Sequence, residues 1–312
     1  MKIRRDILLL TAVAVAAIAG GWWLLAMRPG LAIETFSRDH KQQAAAARPH
    51  LPAADAFRAT ICPGEGCVVV EVGGLTFIYG AGAGASEGVS ALGLMHPNLD
   101  GILLPDASLP SVEGLASLAL ASGGAGRTDA LKVFAPSAAL TVVDGANLLA
   151  SGGKAPRLTL NPDGADQGIA GKLLFDSGVV EIRAFGDRGR VYRIEFEDKS
   201  LILAGCEAEE EDVLAATRGA KVAAGILTAG SSQLLPGEIP RCTDVTELME
   251  GARQARLAAT LIIPADPAPQ LSGALPAWQE VIAGGHSPGA MLGMGNARID
   301  LSGPAPKASS GR

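Results

Sequence analysis

Val68-Val69-Val70-Glu71-Val72-Gly73-Gly74-Leu75-Thr76-Phe77-Ile78-Tyr79-Gly80-Ala81-Gly82-Ala83-Gly84 is the stretch from which the rest of the chain can be placed. Two runs rich in β-branched and aromatic residues flank Gly73-Gly74, a pair suited to the positive φ angles of a two-residue turn, so a β-hairpin is predicted. The alternating glycines that follow carry nothing larger than a methyl group, which suits a sharp strand-to-helix turn. Working outward, the pattern predicts a helix over 86–94, a strand over 99–104 and a helix over 112–122. Strands are expected at 131–134, 179–185, 191–196 and 201–204. The closing third reads helix 209–218, strand 225–228, helix 243–255, strand 259–263, helix 278–283 and a last strand at 297–301. Hairpins mixed with βα units describe an α/β protein with mixed sheets, and no internal repeat is visible. The acidic run Glu207 to Asp212 suits a helix start, where carboxylates meet the positive end of the helix dipole.

Composition narrows the functions open to such a fold. The chain has 312 residues, 48% of them hydrophobic and 19% charged, which excludes a disordered polyampholyte or a coiled coil. Aromatics make up 4% and the net charge is −6. Base-stacking platforms and attraction to phosphate backbones are therefore not expected, and no nucleic acid is predicted as a partner.

The apolar excess is unevenly placed. Lys2, Arg4 and Arg5 precede 21 uncharged residues, Ile7 to Met27, about 31 Å of helix and enough to span a bilayer. With the basic flank held in the cytoplasm, residues 1–27 are expected to be a single-pass inner-membrane anchor that leaves the C-terminal domain in the periplasm. A cleavable signal ending near Ala17-Ile18-Ala19 is the alternative. Residues 28–56 read as a stalk, 57–302 as the folded domain and 303–312 as a disordered tail. Cys62 and Cys67 flank Pro-Gly-Glu-Gly. In an exported protein that spacing predicts a local disulfide or two inert thiols, and it is a weak zinc signal without a second pair or a histidine.

Gly80-x-Gly82-x-x-Ala85, with Asp100 twenty residues beyond Gly80, satisfies a loose dinucleotide fingerprint. The preceding strand, however, is the second arm of a hairpin, and Asp100 begins the next strand where a ribose-binding acid would end it. A structural glycine turn is the reading preferred. No G-x-S-x-G elbow occurs, and Ser108 and Ser111 have no histidine beside them, so serine-hydrolase chemistry is not expected.

The order of these pieces, from the hairpin at Val68 to the strand at Leu301, resembles the metallo-β-lactamase superfamily, and within it the branch similar to ribonuclease Z and arylsulfatase-like hydrolases. In that branch the hairpin ends G-G-x-x-F-V-x-D-A-G, and Gly73 to Gly82 stand in its place, with the carboxylate position taken by Gly80. A strand of the form D-A-V-L-L and a T-H-x-H-x-D-H-x-x-G-L segment follow in the family. This chain reads Asp100-Gly101-Ile102-Leu103-Leu104-Pro105-Asp106-Ala107-Ser108-Leu109-Pro110-Ser111-Val112-Glu113-Gly114-Leu115. The resemblance implies a four-layer αββα sandwich of two mixed sheets, here carrying an N-terminal transmembrane helix. It also implies a site that in the family holds two zinc ions.

Position by position, the family's first two histidines correspond to Asp106 and Ser108, its aspartate to Pro110 and the next histidine to Ser111. The bridging aspartate falls at Cys206 and the late histidine at Ala265. The chain's four histidines are His40, His50, His96 and His286, too few beyond the stalk for a histidine-rich two-metal site. No metal or other cofactor is therefore expected. Asp106, Glu113, Cys206 and Asp266 would approach the same face, and solvated loop roles are preferred for them over a rebuilt site. The resemblance also places Cys206 and Cys242 at one cleft, where a disulfide across about 36 residues is expected.

The function expected from this set is a membrane-anchored, exported pseudoenzyme without the dinuclear metal site, acting as a scaffold or as partner of an active relative, or as a homodimer. A metallo-β-lactamase-fold hydrolase of phosphodiester or ester bonds with an atypical metal site is the first alternative. A small-ligand-binding module using the vacated cleft is the second.

Overall fold

The computed structural model describes residues 51–310 except 65, 95, 153–154, 163–170, 187–190, 231–241 and 266–288. The expected anchor Ile7–Met27, nearly all of the stalk and the helix expected at 278–283 lie outside the described residues. Among the described residues no helix is long and apolar enough to cross a membrane.

Eight strands form the first sheet: β1 (Phe57–Ile61), β2 (Val68–Val72), β3 (Leu75–Tyr79), β4 (Gly101–Leu103), β5 (Leu131–Ala135), β6 (Leu158–Pro162), β14 (Arg298–Asp300) and β15 (Lys307–Ser309), in the order β15-β14-β1-β2-β3-β4-β5-β6. Seven form the second: β7 (Lys172–Asp176), β8 (Val180–Phe185), β9 (Val191–Phe196), β10 (Lys199–Ala204), β11 (Val222–Ala229), β12 (Thr260–Pro264) and β13 (Ala290–Leu292), in the order β13-β12-β11-β10-β9-β8-β7. Both sheets are mixed: β3 to β6 run parallel, as do β10 to β13, and the remaining pairs are antiparallel.

The β2–β3 hairpin forms where the glycine pair predicts it, with φ of 56° at Gly73 and 82° at Gly74, as a two-residue primed turn requires. Both faces of β2 are buried. Val68, Val70 and Val72 face the second sheet, whereas Val69 faces the helices. Glu71 is stabilised by a paired hydrogen bond to its cross-strand neighbour Arg58, at 2.5 and 2.8 Å. The core between the sheets includes Phe57 against Phe196 and Tyr79 against Tyr192, both edge-to-face.

Outside the first sheet lie α1 (Ala85–Ala91), α2 (Leu109–Val112), α3 (Leu115–Gly124) and α4 (Leu140–Ser151), packed on the outer face through Val89, Leu115, Leu118 and Val143. Outside the second lie α5 (Glu210–Thr217) and α6 (Val245–Gln254), which bury Val213, Leu248 and Met249. The layers are helix, sheet, sheet, helix. The acidic run opens α5, with Glu210, Glu211 and Asp212 in its first turn, and Asp244 caps α6 by accepting from the Thr246 amide.

Three expectations need correction. The single helix expected at 112–122 is two, because Gly114 sits against the Gly82 carbonyl and donates its own amide to Ala81 O at 2.7 Å. That contact breaks the helical run. The tail expected to be disordered over 303–312 forms β15, paired with β14, and Lys199 Nζ holds the turn before it through Leu301 O and Gly303 O. The interval between the strands expected at 131–134 and 179–185, for which no element is expected, contains α4, β6 and β7.

Candidate functional site at the carboxyl ends of the strands

In sheets with parallel strands, loops leaving the carboxyl ends are the usual place for ligands. Here β3, β4 and β5 of one sheet end over β9 and β10 of the other. Tyr192, on β9, donates its hydroxyl across the sandwich to Leu104 O at 2.7 Å, with Phe134 O at 3.2 Å. Pro105 then lies directly against Gly205: a Cβ placed on Gly205 would come 2.5 Å from Pro105 Cβ and 3.4 Å from the Tyr79 hydroxyl. Asp106 and Cys206, the residues after these two, stand at positions where the resemblance puts metal ligands.

The loop after β4 turns sharply because Asp106 Oδ1 accepts from the Ser108 amide at 2.7 Å. Asp106 is 7% exposed, and its Oδ2 is buried with no hydrogen-bond partner among the described residues. The Tyr79 hydroxyl is buried as well and has no hydrogen-bond partner among the described residues. Burial first, then Tyr192 and Asp106, hold that hydroxyl well above the usual tyrosine pKa, so it stays a neutral donor. Ser108 stands exposed at the N-cap position of α2 without a side-chain capping bond, its hydroxyl 3.4 Å from that of Ser111, and Pro110 sits exposed in the first turn.

Across the cleft, Cys206 and Cys242 form a disulfide with Cα atoms 4.5 Å apart. It ties the end of β10 to the segment before α6, which is also held by the Thr243 amide on Cys206 O and the Thr243 hydroxyl on Ala208 O. Both ends belong to the second sheet, so this bond does not join the two halves. Ala265 follows β12 and donates its amide to Ala229 O at 2.8 Å. A second disulfide, Cys62–Cys67, closes the β1–β2 connection with Cα atoms 5.2 Å apart.

These residues do not fit a pair of zinc ions. Asp106 supplies one carboxylate oxygen, Cys206 is spent in a disulfide and supplies no thiolate, and Ser108, Pro110, Ser111 and Ala265 supply neither imidazole nor carboxylate. Among the described residues, no group of three or more histidines, cysteines or acids is arranged so that it could hold a metal ion. Glu113 is exposed between α2 and α3. His40, His50, Asp266, His286 and the side chain of His96 lie outside the described residues.

The glycine run has a structural explanation. A Cβ on Gly82 would strike Pro110 O, the Gly82 amide donates to Gly66 O at 2.7 Å, and Gly80 has φ of 72°. Asp100 accepts from the Thr76 amide at 2.7 Å. Backbone occupies the space where a pyrophosphate would lie. Two clefts lie elsewhere, one beside Arg58, Glu71 and Arg298 and one between Asp100 and Arg127.

Element order, sheet pairing and layers together decide the architecture. This chain has the metallo-β-lactamase fold. The metallo-β-lactamase fold protein YhfI from Bacillus subtilis superposes with a TM-score of 0.58 at 10% identity, covering 78% of this chain and 99% of that one. Unliganded yeast PDE1 does so at 0.56 and 9% identity, covering 79% and 99%. The short form of human tRNase Z reaches 0.50 at 12% identity, covering 63% and 84%. No protein-family profile and no curated protein matches the sequence.

Within this metallo-β-lactamase fold, sequence reasoning missed Tyr79, Pro105, Tyr192 and Gly205 at the cleft. One signal was available: the chain has only two tyrosines, and both stand here with rings 6.1 Å apart.

Proposed function

We propose that the protein is a membrane-anchored, exported pseudoenzyme of the metallo-β-lactamase fold, similar to the ribonuclease Z branch, that works as a scaffold or as partner of an active relative. The contact of Pro105 with Gly205, flanked by Asp106 and by a cysteine committed to a disulfide, carries this reading. A two-zinc hydrolase needs several imidazoles and a bridging carboxylate to hold its cations and acidify a water, and among the described residues the cleft presents one carboxylate, that of Asp106. Export is supported by the pairing of all four cysteines, since structural disulfides persist in oxidising compartments. Anchoring rests on the length and apolarity of Ile7–Met27, with the basic flank placing the domain in the periplasm.

A second reading, a hydrolase of phosphodiester or ester bonds with an atypical metal site, is favoured by one feature, the free buried Oδ2 of Asp106. One experiment separates the two. The full-length protein, purified in detergent without chelator, is assayed for metal by mass spectrometry and for hydrolysis of chromogenic phosphodiesters and esters. Substoichiometric zinc and no turnover are expected. Two equivalents of zinc, with turnover abolished by Asp106→Ala, would overturn the pseudoenzyme.

A further inference from the structure

At the amino ends of the parallel strands, away from the candidate site, the segments that lead into β4 and β5 enclose a cleft of about 360 Å³ lined by residues 97–100 and 126–129. That volume lies within the range of small-molecule sites. Arg127 fixes the shape of the cleft. Its Nη1 donates to Pro97 O at 3.1 Å and Leu99 O at 2.5 Å, and its Nε to Asp129 O at 3.0 Å, so one guanidinium straps the two segments together. Several polar groups are left without a hydrogen-bond partner among the described residues. Arg127 keeps Nη2, and Asp100, which gives Oδ2 to the Thr76 amide at 2.7 Å, keeps Oδ1. Thr128 and Asp129 are exposed at the rim. Asn98 Nδ2 is buried and has no partner, an unmet donor whose cost an acceptor entering the cleft would relieve.

We propose that this cleft binds adjacent hydroxyl groups of a neutral sugar or polyol. Charge selects the class first. Asp100 and Asp129 oppose an anion and Arg127 opposes a cation, so a neutral ligand is favoured. Geometry then separates a polyol from a zwitterion that carries a carboxylate. Arginine grips a carboxylate or phosphate with parallel N–H groups from two nitrogens. Here Nε and Nη1 are committed to carbonyls, so neither fork is open. Nη2 remains, and it suits a single hydroxyl oxygen. A hydroxyl accepts one hydrogen bond while it donates another. Neighbouring hydroxyls therefore match both sets of groups, accepting from Arg127 Nη2 and donating to the carboxylates of Asp100 and Asp129. The strap through Arg127 holds these groups in place before a ligand arrives, which lowers the cost of ordering them on binding. The inference does not depend on whether the cleft at Asp106 binds metal.

The test is isothermal titration of the full-length protein, in a detergent without a sugar head group, with glucose, galactose, mannose, ribose, N-acetylglucosamine and myo-inositol. At least one is expected to bind with a dissociation constant below about 1 mM, whereas succinate, phosphate and putrescine are not. Asp129→Ala, at an exposed side chain, is expected to weaken binding at least about tenfold while melting at the same temperature. Asn98→Ala is expected to weaken it too and to melt no lower than the wild type, because the buried N–H group that it removes has no partner. If Asp129→Ala fails to fold, Thr128→Val takes its place with the same expected loss. The methyl glycoside of a sugar that binds distinguishes the source: equal affinity assigns the end of a longer glycan, and lost affinity assigns the free sugar. Failure of every sugar and polyol to bind overturns the proposal. So does binding that survives the substitutions, or a sugar displaced by succinate, phosphate or putrescine.

Discussion

Tyr192 carries its hydroxyl from one sheet to the Leu104 carbonyl of the other, and no solvent reaches that bond. Tyr192→Phe would leave the carbonyl facing apolar surroundings, so a loss of about 1–3 kcal/mol is expected in urea unfolding. A loss within error would mean that the two sheets do not need this tie. Gly205→Ala places a methyl group against Pro105 and should cost roughly 1–3 kcal/mol by overpacking. Asp100 is a different case, because burial raises its carboxyl above the ordinary aspartate value, with the Thr76 amide and Arg127 opposing. The folded chain therefore holds this proton more tightly than the unfolded one. Stability is expected to fall as pH rises from about 3.9 through the raised folded value, with the penalty complete above it. Asp100→Asn keeps an acceptor for the Thr76 amide and should flatten that slope in urea midpoints. A slope unchanged by the substitution would refute this assignment.

At the scale of elements, the strands of the two cores were readable because they are short apolar runs bounded by glycine or charge, as in Val191 to Phe196 and Leu201 to Ala204. Helix α4 was not, because Asp144, Gly145 and Asn147 interrupt its pattern. What holds it is tertiary: Val143 and Ala146 are buried, and Asn147 bonds the backbone of Arg157 and Leu158. β15 was hidden for a similar reason. Pro304 and Pro306 read as a terminus without structure, yet β14 offers an unpaired edge and Lys199 fastens the turn. Removal of residues 303–312 should lower stability by about 1–2 kcal/mol and expose that edge to association, seen as concentration-dependent light scattering. The disulfides differ in span, 36 residues for Cys206–Cys242 and 5 for Cys62–Cys67. Chain entropy then gives about 4 kcal/mol for the first and about 2 for the second. Paired Cys→Ser variants are expected to rank in that order, and the reverse order would show that native packing outweighs loop closure.

At the scale of the folded domain, two sheets meet through an apolar core while helices cover both outer faces, and the strand ends converge on a cleft where, among the described residues, Asp106 presents one free carboxylate oxygen. An anchor at Ile7–Met27 would keep the full chain in the membrane fraction through alkaline carbonate washing and release it only with detergent. Deletion of residues 1–27 should render it soluble, and retention in the pellet after that deletion would assign the membrane attachment to the folded domain.

Hydrophobic period and turn chemistry act over a few residues, and they were enough to determine from the sequence the hairpin, most core strands, the α/β class and the scarcity of histidine ligands. Tertiary structure alone decided the rest. Which sheet each strand joined, why Gly205 has no side chain, how the two tyrosines face each other and where the tail pairs all depend on contacts between residues far apart in the chain. Such contacts leave no local pattern. Tyr192 and Leu104 stand 88 positions apart in sequence, and only the packing of one sheet on the other brings them within a hydrogen bond.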